Sequence, residues 1–140
     1  MTLTSTRTRT FAVGDTLDPL VVGRVSRTTL ALFAGGSGDH NDIHLDSEVA
    51  RSAGMDDVFA QGMLGMAYLS RLITDNFPQA HLRSFTTRFA AITPVNAEPT
   101  CFGEVVSLDG DQITLELRVE LSDATITLAG RAILMMGTNA

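Results

Sequence analysis

The sequence predicts a single α+β domain in which an antiparallel sheet wraps around one central helix. Two observations carry this. Ile113, Leu115, Leu117, Val119 and Leu121 alternate with Thr114, Glu116, Arg118, Glu120 and Ser122, the period-two pattern of a strand with one buried and one wet face. Met63, Leu64, Met66, Ala67, Leu69, Leu72 and Ile73 are spread nearly all round a helical wheel, as in a helix buried in the middle of a domain. The chain has 140 residues, 44% of them apolar and 19% charged, which suits one globular core.

The elements follow in order. Residues Thr2–Thr10 carry Arg7 and Arg9 among threonines and lack the apolar centre of a secretory signal. Residues 1–10 are therefore expected to form a flexible tail and 11–140 the domain. Thr28 or Thr29 can cap a short helix through Ala34, broken by the glycines of Gly35-Gly36-Ser37-Gly38-Asp39. A second short helix starts from Asp46 as cap and ends at Gly54. The apolar helix runs from Gly62 to about Thr74, stopped by Asp75-Asn76-Phe77-Pro78. Strands are expected at Leu82–Ile92, Thr100–Leu108, Ile113–Ser122 and Ile126–Met136, with Asp109-Gly110 marking a hairpin. The first of these strands sets Phe85, Thr87, Phe89 and Ala91 on one face.

Charge and composition exclude some functions. A net charge of −6 argues against nucleic-acid binding, which depends on Lys and Arg at phosphates. No apolar run reaches the ~20 residues of a membrane span. Cys101 is the only cysteine, so no intramolecular disulfide forms and a cytoplasmic location is expected. Its apolar surroundings suggest packing rather than reactivity.

The densest polar cluster is Ser37-Gly38-Asp39-His40-Asn41-Asp42-Ile43-His44. Asp39 and His44, five residues apart, do not share a face of a regular helix, but a turning loop can bring them together. A carboxylate beside an imidazole can grip a water molecule and move its proton. The same residue types also serve ordinary turn and capping chemistry, and residue types alone leave both readings open. A metal site is the weaker reading, because no zinc-type ligand spacing occurs. Gly62 opens the apolar helix, where free N–H groups stabilise negative charge. Equally, Gly62 can simply permit close packing.

Taken together, Phe33-Ala34-Gly35-Gly36-Ser37-Gly38-Asp39-His40-Asn41-Asp42-Ile43-His44-Leu45-Asp46, Ala60-Gln61-Gly62-Met63-Leu64 and Arg88-Phe89-Ala90-Ala91-Ile92-Thr93-Pro94-Val95 resemble the MaoC-like hydratases and dehydratases. These include (R)-specific enoyl-CoA hydratases and (R)-3-hydroxyacyl-ACP dehydratase subunits. The resemblance spans about Phe11 to Met136. It implies a hot-dog fold and a hydro-lyase that adds water to a trans-2-enoyl thioester, giving an (R)-3-hydroxyacyl thioester, or removes it again. It implies Asp39 and His44 as the catalytic pair, the Gly62 N–H as oxyanion donor, and supporting roles for Asn41 and Ser70. No metal or other cofactor is implied. The substrate is carried on coenzyme A or an acyl carrier protein, with coenzyme A favoured by the acidic chain. Arg71, Arg83, Arg88 and Arg131 are candidates to meet its phosphates. A homodimer or higher homo-oligomer is implied, or a heterodimer with a related chain, and no nucleic-acid or membrane partner.

Two departures bear on the site: Asp42 stands where the family has proline, and Gln61 where it often has histidine. Two other readings stand beside the hydratase. A hot-dog thioesterase would place a carboxylate on or near the central helix, and Gly62–Thr74 contains no Asp or Glu. An acyl-binding subunit of a heteromeric dehydratase would not need both Asp39 and His44.

Overall fold

The computed structural model describes residues 9–137. Of the expected N-terminal tail, residues 1–8 lie outside the described residues. The elements are β1 (Leu20–Val21), α1 (Arg27–Ser37), α2 (Ser47–Ser52), α3 (Gly62–Asn76), β2 (Leu82–Phe89), β3 (Thr100–Asp109), β4 (Gln112–Glu120) and β5 (Ile126–Met135). The strands form one antiparallel sheet in the order β1-β3-β4-β5-β2, with α3 packed against it. This is the hot-dog fold. At ~1.5 Å per residue the 15 residues of α3 extend about 22 Å, enough to cross the sheet.

The alternating strand behaves as its pattern requires. Ile113, Leu115, Leu117 and Val119 of β4 are buried against Leu69, Leu72 and Ile73 of α3 and Leu128, Ala132 and Leu134 of β5, in one core cluster. The β3–β4 hairpin turns on Gly110 and Asp111, and Gly110 takes φ +56, the left-handed region that glycine enters without penalty. Cys101 sits inside this core, and burial pushes its thiol up to about 12. A second cluster, Val25, Leu30, Ala50, Val58, Ala60 and Leu64, packs α1 and α2 against the start of α3.

Four expectations need correction. The cap of α1 is Ser26, not Thr28 or Thr29: the Ser26 hydroxyl accepts the Thr29 N–H at 3.2 Å. Gly35 and Gly36 remain helical, and α1 stops only where Gly38 turns left-handed at φ +80. The first expected strand ends at Phe89 rather than Ile92, because the N–H groups of Ala90 and Ala91 both turn to the Thr127 carbonyl. Most consequentially, α3 is not buried on every side. Leu64, Leu69, Leu72 and Ile73 face the core, whereas Gly62, Met63 and Ala67 are exposed. One sheet covers one side of a helix, so the remaining apolar side borders solvent and two cavities.

The two sheet edges differ. On the β3 side, the segment before α1 lies along the edge. Leu17 N–H bonds Gly103 C=O at 2.9 Å, Val105 N–H bonds Asp15 C=O at 2.8 Å, and Leu20–Val21 pairs with Cys101 and Thr100. On the other side, β2 pairs only with β5 among the described residues. No helix among them is long and apolar enough to cross a membrane.

Candidate active site

The Asp39–His44 loop is built from short local bonds. Gly38 ends α1 and reverses the chain. Asp39 N–H then meets the Ser37 hydroxyl at 3.2 Å, and the Asp39 carboxylate accepts Asn41 N–H at 3.4 Å. The Asn41 side-chain oxygen accepts the Ile43 N–H at 3.2 Å and so caps a single 3-10 turn, Asp42–His44. Asn41 thus sets the turn that carries His44. The Asp42 side chain is exposed, and its backbone carbonyl takes the N–H groups of Leu45 and Asp46 at 2.9 and 2.7 Å. Asp46 caps α2 as expected. Asp42 in place of proline therefore leaves the turn intact.

The loop brings the pair together. His44 Nε2 is 3.9 Å from Asp39 Oδ2, wider than a hydrogen bond. On the other side of the ring, Nδ1 lies 2.8 Å from the Phe59 carbonyl. A carbonyl only accepts, so Nδ1 carries the hydrogen, and Nε2 of a neutral ring presents its lone pair toward Asp39. The Phe59 ring meets His44 edge-on, with centroids 5.0 Å apart. The His44 side chain is 11% exposed and that of Asp39 43%. A mostly buried, oriented imidazole therefore faces a carboxylate open to solvent. Two hydrogen bonds of ~2.8 Å from one water oxygen can span such a gap.

The strand-like stretch before α3 connects this pair to the helix start. Phe59 bridges to Pro94, and Ala60 N–H bonds Thr93 C=O at 2.9 Å. Gln61 then precedes α3 without a side-chain cap. Gly62 and Met63 head the helix, and their N–H groups have no intrahelical acceptor. They find no other protein acceptor among the described residues. Gln61, at the position where histidine was the alternative, is 1% exposed. Its Nε2 donates to Leu30 C=O of α1 at 3.1 Å, while Oε1 has no partner. The sequence did not announce this tie between α1 and α3.

Two cavities flank the start of α3. One, of about 500 Å³, is lined by Phe33, Ser37, Asp39, Met63, Met66, Ala67, Ser70 and Phe85; the carboxylate is its main polar feature. The other, of about 350 Å³, is bounded by Phe59–Gly62, Gly65, Leu128 and the Phe89–Thr93 stretch. Ser70 reaches the first cavity, but its hydroxyl is committed to the Ala67 carbonyl at 2.8 Å, the local bond expected of a helical serine.

Among the candidate phosphate contacts, Arg71 lies 3.8 Å from Asp75, Arg131 3.1 Å from Glu116, and Arg83 bonds the Ala80 carbonyl at 2.6 Å. Among the described residues no group of three or more His, Cys, Asp or Glu is arranged to hold a metal ion. Helix α3 extends past Thr74 and takes in Asp75, but this carboxylate lies in the last turn, half exposed and beside Arg71.

An antiparallel sheet packed on one central helix, with a candidate acid–imidazole pair beside the helix start, defines a hot-dog protein. The family model described as MaoC like domain matches residues 4–127. The chain belongs to this family of hydratases and dehydratases. Among solved structures, it resembles the (R)-hydratase from A. caviae involved in PHA biosynthesis, with TM-score 0.83 and 24% identity, over 92% of this chain and 99% of that one. It also resembles the R-hydratase PhaJ1 from Pseudomonas aeruginosa, with TM-score 0.82 and 25% identity, over 92% and 84% of the two chains. A third similar structure is the ChsH1-ChsH2 complex from Mycobacterium tuberculosis, with TM-score 0.82 and 22% identity, over 91% and 100%. No curated protein sequence is significantly similar to this chain.

Proposed function

We propose that the protein hydrates a trans-2-enoyl thioester, in the first instance an enoyl-CoA, to an (R)-3-hydroxyacyl thioester, and catalyses the reverse dehydration. The observation that carries this reading is the orientation of His44: Nδ1 bound to the Phe59 carbonyl and Nε2 turned to Asp39 across 3.9 Å. In the proposed reaction a water sits between the two groups. His44 Nε2 takes one of its protons while the oxygen bonds C3. The electrons of the C2–C3 double bond move toward the thioester carbonyl, whose oxygen gains negative charge. The Gly62 N–H, at the positive end of α3, holds that oxygen. The imidazolium, steadied by Asp39, returns a proton to C2 on the same face. Atoms balance, the oxidation level of the whole is unchanged, and no metal or redox cofactor is needed.

The two cavities suit the two halves of such a substrate. The larger, apolar one beside Asp39 takes the acyl tail. The one between Gly62 and the Phe89–Thr93 stretch takes the arm of the carrier. Asn41 and Ser70 act in support, the first through the His44 turn and the second as part of the acyl wall.

The test is loss of the enoyl thioester absorbance when purified protein meets a short trans-2-enoyl-CoA. Loss that disappears in Asp39→Asn supports the reading. No loss over short and long chains, or release of free thiol instead, sinks it; the latter outcome favours a thioesterase.

We also propose that the working unit is a homodimer or a pair with a related chain. The long β2 edge has no cover among the described residues, whereas the β3 edge has one. Natural sheets seldom leave such an edge bare. Sedimentation at a single-chain mass, alone and with related chains, would overturn this.

A further inference from the structure

Three side chains on one face of β2 border the N-terminal part of α3, from Gly62 to Ser70. Phe85 lines the acyl-side cavity together with Met66, Ala67 and Ser70. Thr87 Oγ1 meets Met66 Sδ at 3.4 Å. Phe89 lines the other cavity together with Gly62, Gly65 and Leu128. The two cavities are thus two stretches of one α3–β2 seam, with the Thr87–Met66 contact lying between Phe85 and Phe89 along β2.

Phe89 is the least anchored of the three. It is 52% exposed, an unusual state for a phenylalanine. It is the last residue of β2, and beyond it the ladder gives way to two N–H groups on one carbonyl. Its ring rests against Gly62: a Cβ built there would stand 3.0 and 3.1 Å from two ring carbons. Glycine at this position therefore makes room for the ring as well as for a ligand. The ring also lies beside the free N–H groups of the helix start, where a thioester oxygen would have to arrive.

We propose that Phe89 is a positioning residue for the carrier arm: a ring that rests on Gly62, turns outward to admit the thioester, and then packs along the arm. The inference rests on the hydratase reading for the identity of the ligand. It adds a residue outside the acid–imidazole pair and predicts sensitivity to the carrier rather than to the acyl tail. Side chains stand off the faces of a sheet, so a strand added at the β2 edge leaves the ring on the α3 side.

The chain has no tryptophan, so Phe89→Trp installs a sole indole reporter. Titration of this variant with saturated octanoyl-CoA, which cannot be hydrated, is expected to shift its emission in a saturable way, at the concentration where calorimetry detects binding to the unaltered protein. Phe102→Trp, on the outer sheet face, is expected to stay silent. In kinetics, Phe89→Ala is expected to raise KM for an enoyl-CoA roughly tenfold with kcat little changed. With the enoyl thioester of N-acetylcysteamine, which keeps only the part of the arm next to the thioester, the same variant should lose less than it loses with the enoyl-CoA. Calorimetric binding without an emission change in the Phe89→Trp protein, or equal losses with both carriers in Phe89→Ala, overturns the role of Phe89 alone. Absence of acyl-CoA binding to the unaltered protein overturns both this role and the hydratase reading.

Discussion

His44 Nε2 faces Asp39 Oδ2 across 3.9 Å, too far for a direct bond and close enough for a shared water. The asymmetry of the pair follows from the other ring nitrogen. Because Nδ1–H is committed to Phe59, the ring cannot turn to offer an N–H to Asp39 without losing that bond. Asp39→Asn keeps the size and removes the charge. His44→Gln removes the imidazole and keeps a polar group. Each is expected to lower kcat of enoyl-CoA hydration by about 10²–10⁴-fold, the usual worth of a general acid or base, with the circular-dichroism spectrum and Tm nearly unchanged. Near-normal turnover in either variant would remove the pair from the mechanism.

Two glycines in the sheet–helix packing have unequal tolerance. A Cβ at Gly65 would fall 2.7 Å from a Leu128 methyl, the end of a side chain that can rotate. A Cβ at Gly130 would fall 2.5 Å from the Thr86 backbone oxygen, which cannot move without shifting β2. Overpacking costs about 1–3 kcal/mol where neighbours can adjust. Gly65→Ala is expected within that range and Gly130→Ala above it, measured by urea denaturation. The reverse order would mean that β2 yields more easily than Leu128.

The link between α1 and the loop before α3 is expected to weaken at acid pH. Asp57 accepts the Ser47 hydroxyl at 2.8 Å and the Val58 N–H at 2.8 Å, and pairs with Arg27. These bonds, the Ser47 hydroxyl first, hold its carboxyl down at about 2 from 3.8. A depressed carboxylate pKa stabilises the fold above the unfolded value, and that contribution is lost as pH falls through the folded one. Thermal melts should therefore show an Asp57-dependent loss between about pH 4 and about pH 2. In Asp57→Asn that step should be missing and Tm at neutral pH lower. An unchanged acid profile in the variant would reject the link.

Local pattern made much of this molecule legible. The period-two run of β4, the hairpin at Gly110 and the Asp46 cap are all decided by neighbours in sequence, and each formed where its residues required. The open side of α3 was not legible. Periodicity reports which faces are apolar, not how many partners cover them, and Met63 and Ala67 border solvent and a cavity despite their chemistry. The same limit hid the cap of α1: the capping hydroxyl belongs to the residue where the backbone leaves extended geometry, Ser26, and the pattern of apolar residues does not report that position. At the site, the motif brought Asp39 and His44 into view. It did not disclose the Phe59 carbonyl, fifteen residues from His44, or the Gln61–Leu30 bond across thirty-one. A backbone carbonyl has no sequence signature, and a long-range contact is set by tertiary packing. The Phe89–Gly62 contact is of the same kind.

One strained turn offers a stabilising change remote from the site. Ala124 holds φ +68 between β4 and β5, a region that costs a residue with a Cβ roughly 1–2 kcal/mol. The turn is fixed from both sides: Ala124 N–H bonds Leu121 C=O at 2.9 Å, and Thr125 N–H bonds the Asp123 carboxylate at 3.0 Å. Glycine would remove the Cβ penalty and keep both bonds, while adding freedom to the unfolded chain. The first effect outweighs the second by about 0.5–1 kcal/mol, so Ala124→Gly should raise Tm by a few degrees and leave hydratase kinetics untouched. A lower Tm would show that the turn relaxes to negative φ in solution, and that the β4–β5 register near Glu120–Ile126 relaxes with it.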